Sequence, residues 1–250
     1  FAALNMDARF VAFSVNPDQL GEAIVGLRAL NVAGINVTVP HKSSVIPYLD
    51  EITPLAKKIG AVNTIRNEQG LLIGTNTDIS GFIRSLENLN FSPENKSIAL
   101  LGAGGAARAL VAGLADAGAS RILIHNRTVE HAESLLTEFS PIFPQTQLES
   151  VTVETLQATT LDLLVNTTTV GMESGESPLD LSQCQEIEHL ADIIYSPAQT
   201  TLLKQAEELG IPAINGSGML LYQGCGAFTF WTGKQAPETV MQEQLLGWKE

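Results

Sequence analysis

The sequence predicts a two-lobed α/β fold, and three observations support this prediction. Apolar segments of strand length alternate with amphipathic segments of helix length along most of the chain. One of these strands, residues 98–101, runs directly into the glycine-rich segment 102–107. The chain has 250 residues, of which 44% are hydrophobic. This length allows two domains of the usual size, about 100–200 residues each.

The segment 102–107 has the spacing of a dinucleotide-binding turn. Gly102 allows a tight turn, and Gly104 lets the backbone approach a pyrophosphate. Ala107 fills the third G-x-G-x-x-G/A position, where a small side chain allows close packing of helix on strand. The N–H groups at the start of the following helix would then face the phosphates.

The surroundings of this turn favour the dinucleotide interpretation over a glycine-rich turn without a ligand. A helix of small residues is predicted at 106–117, and Gly118 suits its C-terminal end. A second strand is predicted at 122–125. Strand, turn, helix and strand are the context that the motif requires.

The residues after the second strand favour NADP over NAD. An NAD site usually has an acidic residue about 20 residues past the glycines, where it binds the ribose hydroxyls. Here the strand ends in Asn126, Arg127 and Thr128, so no carboxylate is placed to repel a 2′-phosphate. The guanidinium of Arg127 can bind that phosphate through two hydrogen bonds. The alternative for Arg127 is a solvated surface residue.

Charge and cysteine content limit the classes of partner and the compartment. The net charge is −13 and the isoelectric point is near 4.7, so the overall field repels nucleic acid and anionic membrane surfaces. Cys184 and Cys225 have neither metal-ligand nor redox-motif spacing, which favours a reduced, cytoplasmic environment. The uncharged run 211–233 includes polar residues and glycines, which favour a buried helix that lines a site over a membrane span.

The N-terminal part of the chain predicts a β-α-β order. Residues 7–15 alternate as in a strand, residues 17–30 have apolar residues at helical spacing, and residues 35–39 form a strand that Pro40 ends. Lys42 follows at once. In a parallel α/β sheet this position lies beyond the carboxyl end of a strand, where ligands bind. An exposed lysine at a helix start is the alternative.

Two polar clusters follow in apolar surroundings. Asn63 and Thr64 lie within an expected strand at 61–65, and Asp78 opens a helix after the strand 71–73. The alternative roles are a helix N-cap for Asp78 and a turn or ladder amide for Asn63. The remaining predicted elements are helices at 129–139, 153–156 and 200–209 and strands at 161–168, 191–195 and 211–214.

Taken together, these residues make the chain resemble shikimate dehydrogenase over essentially its whole length. The matching motifs are Asn36-Val-Thr-Val-Pro-His-Lys42, Gly60-Ala-Val-Asn63, Asn76-Thr-Asp78, Gly102-Ala-Gly-Gly-Ala106, Asn126-Arg-Thr128 and Gly216-Ser-Gly-Met-Leu-Leu-Tyr-Gln223. The resemblance implies a substrate-binding α/β domain at residues 1–82, completed by 218–250. It also implies a Rossmann-like NADP-binding domain at 83–217, with the C-terminal helices packing back on the substrate domain.

The resemblance implies an oxidoreductase that reversibly reduces 3-dehydroshikimate to shikimate with NADPH, a step in aromatic amino-acid biosynthesis. It implies that Lys42 is the catalytic lysine and Asp78 its partner. The implied substrate-binding residues are Thr38, Lys42, Asn63, Asp78, Tyr195 and Gln223, and the implied cofactor-binding residues are Gly102, Ala103, Gly104, Gly105, Ala106, Asn126, Arg127, Thr128, Ile193 and Gly216. No metal is expected, since the cofactor itself supplies the hydride. A monomer or homodimer is expected.

The chain departs from the family pattern in three respects. The serine-containing motif that binds the substrate carboxylate is expected before Phe1, so a chain that starts at Phe1 is expected to bind substrate weakly. His131 stands where a second arginine is common in the NADP loop. Pro54 and the run Asn166-Thr-Thr-Thr also differ from commoner versions.

Three other functions stay open on the sequence. One is an NAD-dependent quinate/shikimate dehydrogenase with a catabolic role, which Arg127 disfavours. Another is a non-catalytic NADP-binding sensor, which Lys42 and Asp78 disfavour. The last is an NADP reductase that acts on a different cyclic carbonyl compound.

Overall fold

A computed structural model describes residues 1–247 of the chain. The chain divides into two compact units, Phe1–Ser80 with Leu221–Glu250, and Gly81–Leu220. The sequence predicts 1–82 with 218–250, and 83–217; the last three residues of that prediction lie outside the described residues. The assignment of one role to each unit stays a prediction at this point.

The first unit contains a mixed four-stranded sheet among the described residues, in the order β1-β3-β4-β2. Its strands are β1 (Gly34–Asn36), β2 (Glu51–Ile52), β3 (Thr64–Glu68) and β4 (Leu71–Thr75). β3 is antiparallel to both β1 and β4, and only β2 and β4 are parallel. Gln69 and Gly70, both with positive φ, make the two-residue turn from β3 to β4. The parallel sheet expected around Lys42 is therefore wrong, because the neighbouring strands run in opposite directions.

Helices cover the apolar face of this sheet. They are α1 (Leu20–Ala29) and α2 (Pro54–Ile59). The hydroxyl of Thr53 caps α2, and Pro54 stands at its first position. The shared core is formed by Leu20, Ile24, Val37, Val45, Ala56, Val62, Ile65 and Leu72. The sequence predicts α1 but misses α2 and β2, which are short.

The strand predicted at residues 7–15 is wrong. Within the described chain this segment has no strand structure, and β1 pairs with β3 alone. Alternation of apolar residues predicts which side chains share a face, but a strand forms only with a hydrogen-bonded neighbour. The large apolar side chains in the middle of the segment are accordingly exposed, with Phe10 at 61%, Val11 at 62% and Phe13 at 70%.

The second unit contains a six-stranded parallel sheet among the described residues, in the order β10-β9-β8-β5-β6-β7. Its strands are β5 (Ser97–Leu101), β6 (Arg121–His125), β7 (Gln147–Ser150), β8 (Leu163–Asn166), β9 (Leu190–Asp192) and β10 (Ala213–Ile214). The helices that connect them are α4 (Gly105–Asp116), α5 (Val129–Phe139), α6 (Val153–Gln157) and α7 (Thr201–Glu208). The Rossmann-like α/β prediction is confirmed.

The centre of this sheet is the apolar strand β5, whose residues 98–101 are at most 2% exposed. The chain passes from β5 through α4 to β6 on one side, and later returns to β8 on the other. The strand order therefore reverses next to β5. In parallel α/β sheets a ligand binds in the crevice beyond the carboxyl ends of the strands at such a reversal.

The remaining helices are α3 (Asp78–Ser85), α8 (Ser217–Thr232) and α9 (Glu238–Gly247), and the unit boundaries fall within α3 and α8. The uncharged run 211–233 forms β10 and α8. Leu221, Cys225, Ala227 and Phe228 are the buried residues of α8. In the part of the chain that the structure describes, no helix combines the length and apolar character needed to cross a membrane.

Candidate active site

The first unit holds an ion pair between Lys42 and Asp78. Lys42 Nζ lies 2.8 Å from Asp78 Oδ2. The Asp78 side chain is only 12% exposed, whereas the Lys42 side chain is 32% exposed. The carboxylate is thus shielded while the ammonium stays accessible. An ammonium held in this way can stabilise negative charge on a bound carbonyl oxygen and donate a proton to it.

Asn76 fixes the position of Asp78 at the start of α3. Its Oδ1 accepts hydrogen bonds from the N–H groups of Asp78 at 3.0 Å and Ile79 at 3.4 Å. Its Nδ2 donates to the carbonyl of Ala61 at 3.3 Å. Asn76 therefore caps the start of α3, which is the role that the sequence left open as an alternative for Asp78. The carboxylate of Asp78 is instead directed to Lys42.

Asn63 lies in a buried network with Thr64 and Thr77. Its Oδ1 accepts from Thr77 N–H at 2.8 Å and from the Thr64 hydroxyl at 3.0 Å, and its Nδ2 donates to the Thr77 hydroxyl at 3.0 Å. The strand expected at 61–65 begins only at Thr64, so Asn63 precedes it. The network thus joins the start of β3 to the residue before Asp78.

Two backbone hydrogen bonds bring the Lys42 segment beside Asn63. The N–H of Val37 donates to Asn63 O at 2.8 Å, and the N–H of Val62 donates to Lys42 O at 2.7 Å. Thr38, between these two anchor points, is exposed. The antiparallel pairing of β1 with β3, and not a parallel sheet, thus brings the Lys42 segment beside Asn63.

Gln223 lies on α8 and is half-buried. Gly226 is three residues further on and therefore shares its face of the helix. A Cβ atom on Gly226 would lie 3.4 Å from Thr77 Cβ, so this face packs on the residue that precedes Asp78. Tyr195, also predicted to bind substrate, belongs to the second unit.

In the second unit, the glycine-rich loop lines a cavity of about 440 Å³. The predicted cofactor residues that line it are Gly102, Ala103, Gly104, Gly105, Ala106, Asn126 and Ile193. Gly102 has a φ of +104°, which favours glycine. A Cβ atom on Gly104 would meet no atom within 4 Å, so open space lies beside its backbone. The loop therefore offers the close backbone approach that a pyrophosphate requires.

The loop is held by hydrogen bonds to the end of β6. The N–H of Gly102 donates to His125 O at 2.8 Å, and the N–H of Ala103 donates to Asn126 Oδ1 at 3.1 Å. Gly104 stands at the N-cap of α4 and has no side chain to cap it. The first N–H groups of α4 thus have no side-chain cap to compete with an anion.

Arg127 and Thr128 lie in the turn from β6 to α5, outside the residues that line the cavity. Asn126 Nδ2 donates to Thr128 O at 2.7 Å, which fixes this turn, and Arg127 is exposed. His131 is also exposed, in the first turn of α5.

Gly216 packs against the backbone of Ile193 instead of facing the cavity. A Cβ atom on Gly216 would lie 2.0 Å from Ile193 O, and the Gly216 N–H donates to Ile194 O at 3.0 Å. Tyr195 lines the cavity with Ile193 and is 41% exposed. The strand expected at 191–195 ends at Asp192, which leaves residues 193–195 to form the wall of the cavity.

The sequence assigned no role to two residues that shape these sites. Asn76 is part of a family motif, and an asparagine two residues before a helix start is itself a signal for a side-chain cap. Asp192 is an acidic residue at the end of an apolar strand, and it is 1% exposed. A carboxylate in an apolar strand indicates a buried hydrogen-bonded site, because burying a carboxylate requires hydrogen-bond donors around it.

Models of known families match most of the chain. A model of the shikimate dehydrogenase substrate-binding domain matches residues 1–65. One of shikimate/quinate 5-dehydrogenase matches residues 85–170, and one of the shikimate 5′-dehydrogenase C-terminal domain matches residues 216–246.

Individual proteins match over nearly the whole chain. A shikimate dehydrogenase (NADP(+)) of Geobacter metallireducens is 44% identical, over 98% of this chain and 87% of its own length. The structure of shikimate 5-dehydrogenase from Listeria monocytogenes in complex with shikimate and NAD has a TM-score of 0.92 at 34% identity, covering 98% of this chain and 88% of that one. A 5-ketofructose reductase of Gluconobacter has a TM-score of 0.86 at 34% identity, covering 98% and 90%.

Proposed function

The chain belongs to the shikimate dehydrogenase family, and from this we propose that it catalyses the reversible, NADPH-dependent reduction of 3-dehydroshikimate to shikimate in aromatic amino-acid biosynthesis. The observation that carries the proposal is the ion pair of Lys42 Nζ with Asp78 Oδ2 at 2.8 Å. This pair places an accessible ammonium on a shielded carboxylate, and Lys42 lies in the segment that matches the substrate-binding domain of the family.

Lys42 and Asp78 are the catalytic residues in this proposal. Bound NADPH supplies the hydride that reduces the substrate carbonyl. Lys42 stabilises the negative charge that grows on the carbonyl oxygen and donates its proton there, and the neutral amine then regains a proton from water. Asp78 holds the ammonium in place and accepts a hydrogen bond from a substrate hydroxyl. In the oxidative direction the neutral amine of Lys42 accepts the hydroxyl proton, and Asp78 holds the resulting ammonium in place.

The other proposed substrate residues supply uncharged donors and acceptors. Thr38, Asn63 and Gln223 suit the hydroxyl groups of a small cyclic acid, because amides and hydroxyls both donate and accept. Tyr195 presents a phenol in the second unit. The proposed cofactor residues are the glycine loop, Ile193 and Gly216, together with Asn126–Thr128. Open space beside Gly104 and the uncapped start of α4 support the pyrophosphate site.

Turnover with paired cofactors and substrates tests this function. Purified gene product, with any residues encoded before Phe1, is mixed with NADP⁺ or NAD⁺ and with shikimate or quinate, and reduced cofactor is followed by absorbance. We expect the highest kcat/KM for shikimate with NADP⁺. NADP⁺ binding without turnover on either acid would contradict the enzyme proposal, and 5-ketofructose reduction by NADPH in place of shikimate turnover would contradict the substrate.

Replacing Arg127 with alanine should raise KM for NADPH by about 10- to 100-fold and leave KM for NADH unchanged. The reason is that a guanidinium–phosphate contact contributes about 1.5–3 kcal/mol, and only NADPH carries the 2′-phosphate. Lys204→Ala makes the same change in net charge at an exposed position on α7 and should change neither constant. An equal increase in KM for NADPH and NADH would contradict the proposal that Arg127 binds the 2′-phosphate.

We also propose a cytoplasmic location and a monomeric or homodimeric state. Neither the half-buried Cys184 nor the buried Cys225 is in a disulfide, which suits a reducing compartment. Light scattering on the protein as it elutes from a size-exclusion column measures the oligomeric state.

A further inference from the structure

Asp192 is a buried carboxylate with uncharged donors. It ends β9, and it is 1% exposed. Its Oδ1 accepts from Asn166 Nδ2 at 3.0 Å and from Ile194 N–H at 3.1 Å, and its Oδ2 accepts from the Thr200 hydroxyl at 2.7 Å. Burial raises the pKa of Asp192, although these three hydrogen bonds act in the opposite direction.

The first partner of Asp192 controls one wall of the cofactor cavity. Asn166 Oδ1 accepts from the N–H and the hydroxyl of Thr168, at 3.0 and 2.7 Å. Thr168 lines the cavity, as do its neighbours Thr167 and Thr169. A carboxylate accepts hydrogen bonds and donates none. Asp192 therefore forces Asn166 to turn its NH₂ group inward and its oxygen toward Thr168.

The other two partners connect Asp192 to a second wall of the cavity and to the start of α7. The backbone N–H of Ile194 donates to Asp192 Oδ1, and the N–H of Ile193 donates to Asn166 O at 3.1 Å. Thr200 donates to Asp192 and at the same time accepts from Leu203 N–H at 3.3 Å as the N-cap of α7. Residues 193–195, which line the cavity, are thus fixed at one end by Asp192.

The strand order indicates which half of the dinucleotide these walls hold. The glycine loop follows β5, and the proposed 2′-phosphate residues follow β6, on one side of β5. Residues 167–169 and 193–195 follow β8 and β9, on the opposite side. A dinucleotide whose pyrophosphate lies at the glycine loop spans the crevice, so its nicotinamide half faces the walls held by Asp192.

We propose that Asp192 is a positioning residue that orients the segments 167–169 and 193–195 against the nicotinamide half of the cofactor. The proposal rests on the proposed function of this chain as an NADP-dependent dehydrogenase. Asp192 does not line the cavity itself and acts through Asn166 and the backbone of Ile194. Small displacements of a reacting group from its productive geometry lower kcat steeply, by as much as about 100-fold for 1 Å.

The test uses Asp192→Asn, which keeps the volume but can turn either amide atom toward Asn166. We expect kcat to fall about 10- to 100-fold and NADP⁺ to bind more weakly. Adenosine 2′,5′-bisphosphate, which lacks the nicotinamide half, should bind with unchanged affinity. This ligand binds only on the glycine-loop side of the cavity. Its affinity therefore stays constant if only the segments 167–169 and 193–195 are displaced, and falls if the whole unit is destabilised.

A second pair of variants covers the case in which Asp192→Asn does not fold. Thr200→Val removes the hydroxyl donor and should lower kcat and NADP⁺ affinity in the same way, whereas Thr200→Ser restores both. Thr152→Val is the matched control, since Thr152 caps α6 through Thr155 N–H but contacts no carboxylate oxygen of Asp192. It should lower the melting temperature with no change in kcat.

Two results would overturn the positioning role. One is a parallel loss of bisphosphate and NADP⁺ affinity, which a general loosening produces. The other is a lower melting temperature with kcat and NADP⁺ affinity unchanged. If the wild-type protein binds NADP⁺ but does not turn over shikimate, the proposed function fails, and the comparison of NADP⁺ with the bisphosphate still decides the role of Asp192.

Discussion

Replacing Lys42 with alanine is expected to lower kcat by about 100- to 10,000-fold while leaving NADPH affinity close to its original value. The range is that of a single general acid, and Lys42 combines this role with charge stabilisation at the carbonyl oxygen. The proposed cofactor residues lie in the second unit, so the substitution removes none of them. Stopped-flow NADPH oxidation with 3-dehydroshikimate measures kcat, and fluorescence titration measures NADPH affinity.

The loss of Lys42 also leaves Asp78 without its cation, so a control for folding is required. Lys57→Ala removes an exposed lysine from α2 in the same unit and should leave kcat unchanged. Lys42→Arg keeps the positive charge and should retain the melting temperature, yet its guanidinium does not release a proton at neutral pH. We therefore expect low kcat in Lys42→Arg as well. A variant of Lys42 with wild-type turnover would refute the catalytic role.

The parts of the fold that the sequence predicts well are those whose local pattern and tertiary environment agree. Helix α5 has the predicted bounds, Val129–Phe139, because its apolar residues face one side and three of them are buried. Strand β5 is buried on both faces, so its continuous apolar run matches its position in a parallel sheet. The strand predicted at residues 7–15 does not form, because alternation of apolar residues alone does not supply a neighbouring strand for hydrogen bonding.

The candidate sites show a different limit. Residue types and spacing predict the glycine loop, because its short motif is continuous in the sequence, whereas the roles of Lys42 and Asp78 are implied by the family resemblance. The role of Asn76 depends on where α3 begins, and that of Asp192 depends on which donors the folded chain places around it. Those contacts join residues that are far apart in the sequence, such as Asn166 and Asp192, and no local pattern specifies them.

Replacing Gly104 with valine is expected to weaken NADPH binding by about 100-fold or more, and Gly104→Ala by about 10-fold. The backbone at Gly104 has φ −85° and ψ −168°, which any residue adopts, and a Cβ would meet no atom within 4 Å. The added atoms therefore occupy the space that the pyrophosphate needs without a steric clash inside the protein. Each charge-assisted hydrogen bond lost by a displaced phosphate weakens binding by about 1.5–3 kcal/mol.

The matched control for this prediction is Gly175→Val. Gly175 also has open space where its Cβ would stand, lies in the same unit, and does not line the cavity. NADPH affinity should be unchanged in this variant. At Gly104, valine is a poorer N-cap than glycine, so a loss of about 1 kcal/mol in unfolding free energy is expected. The proposed pyrophosphate site beside Gly104 would be contradicted if the loss of NADPH affinity in the two variants correlated with their melting temperatures and not with the size of the new side chain. A loss of NADPH affinity that increases from alanine to valine, in variants that remain folded, would support a pyrophosphate site beside Gly104.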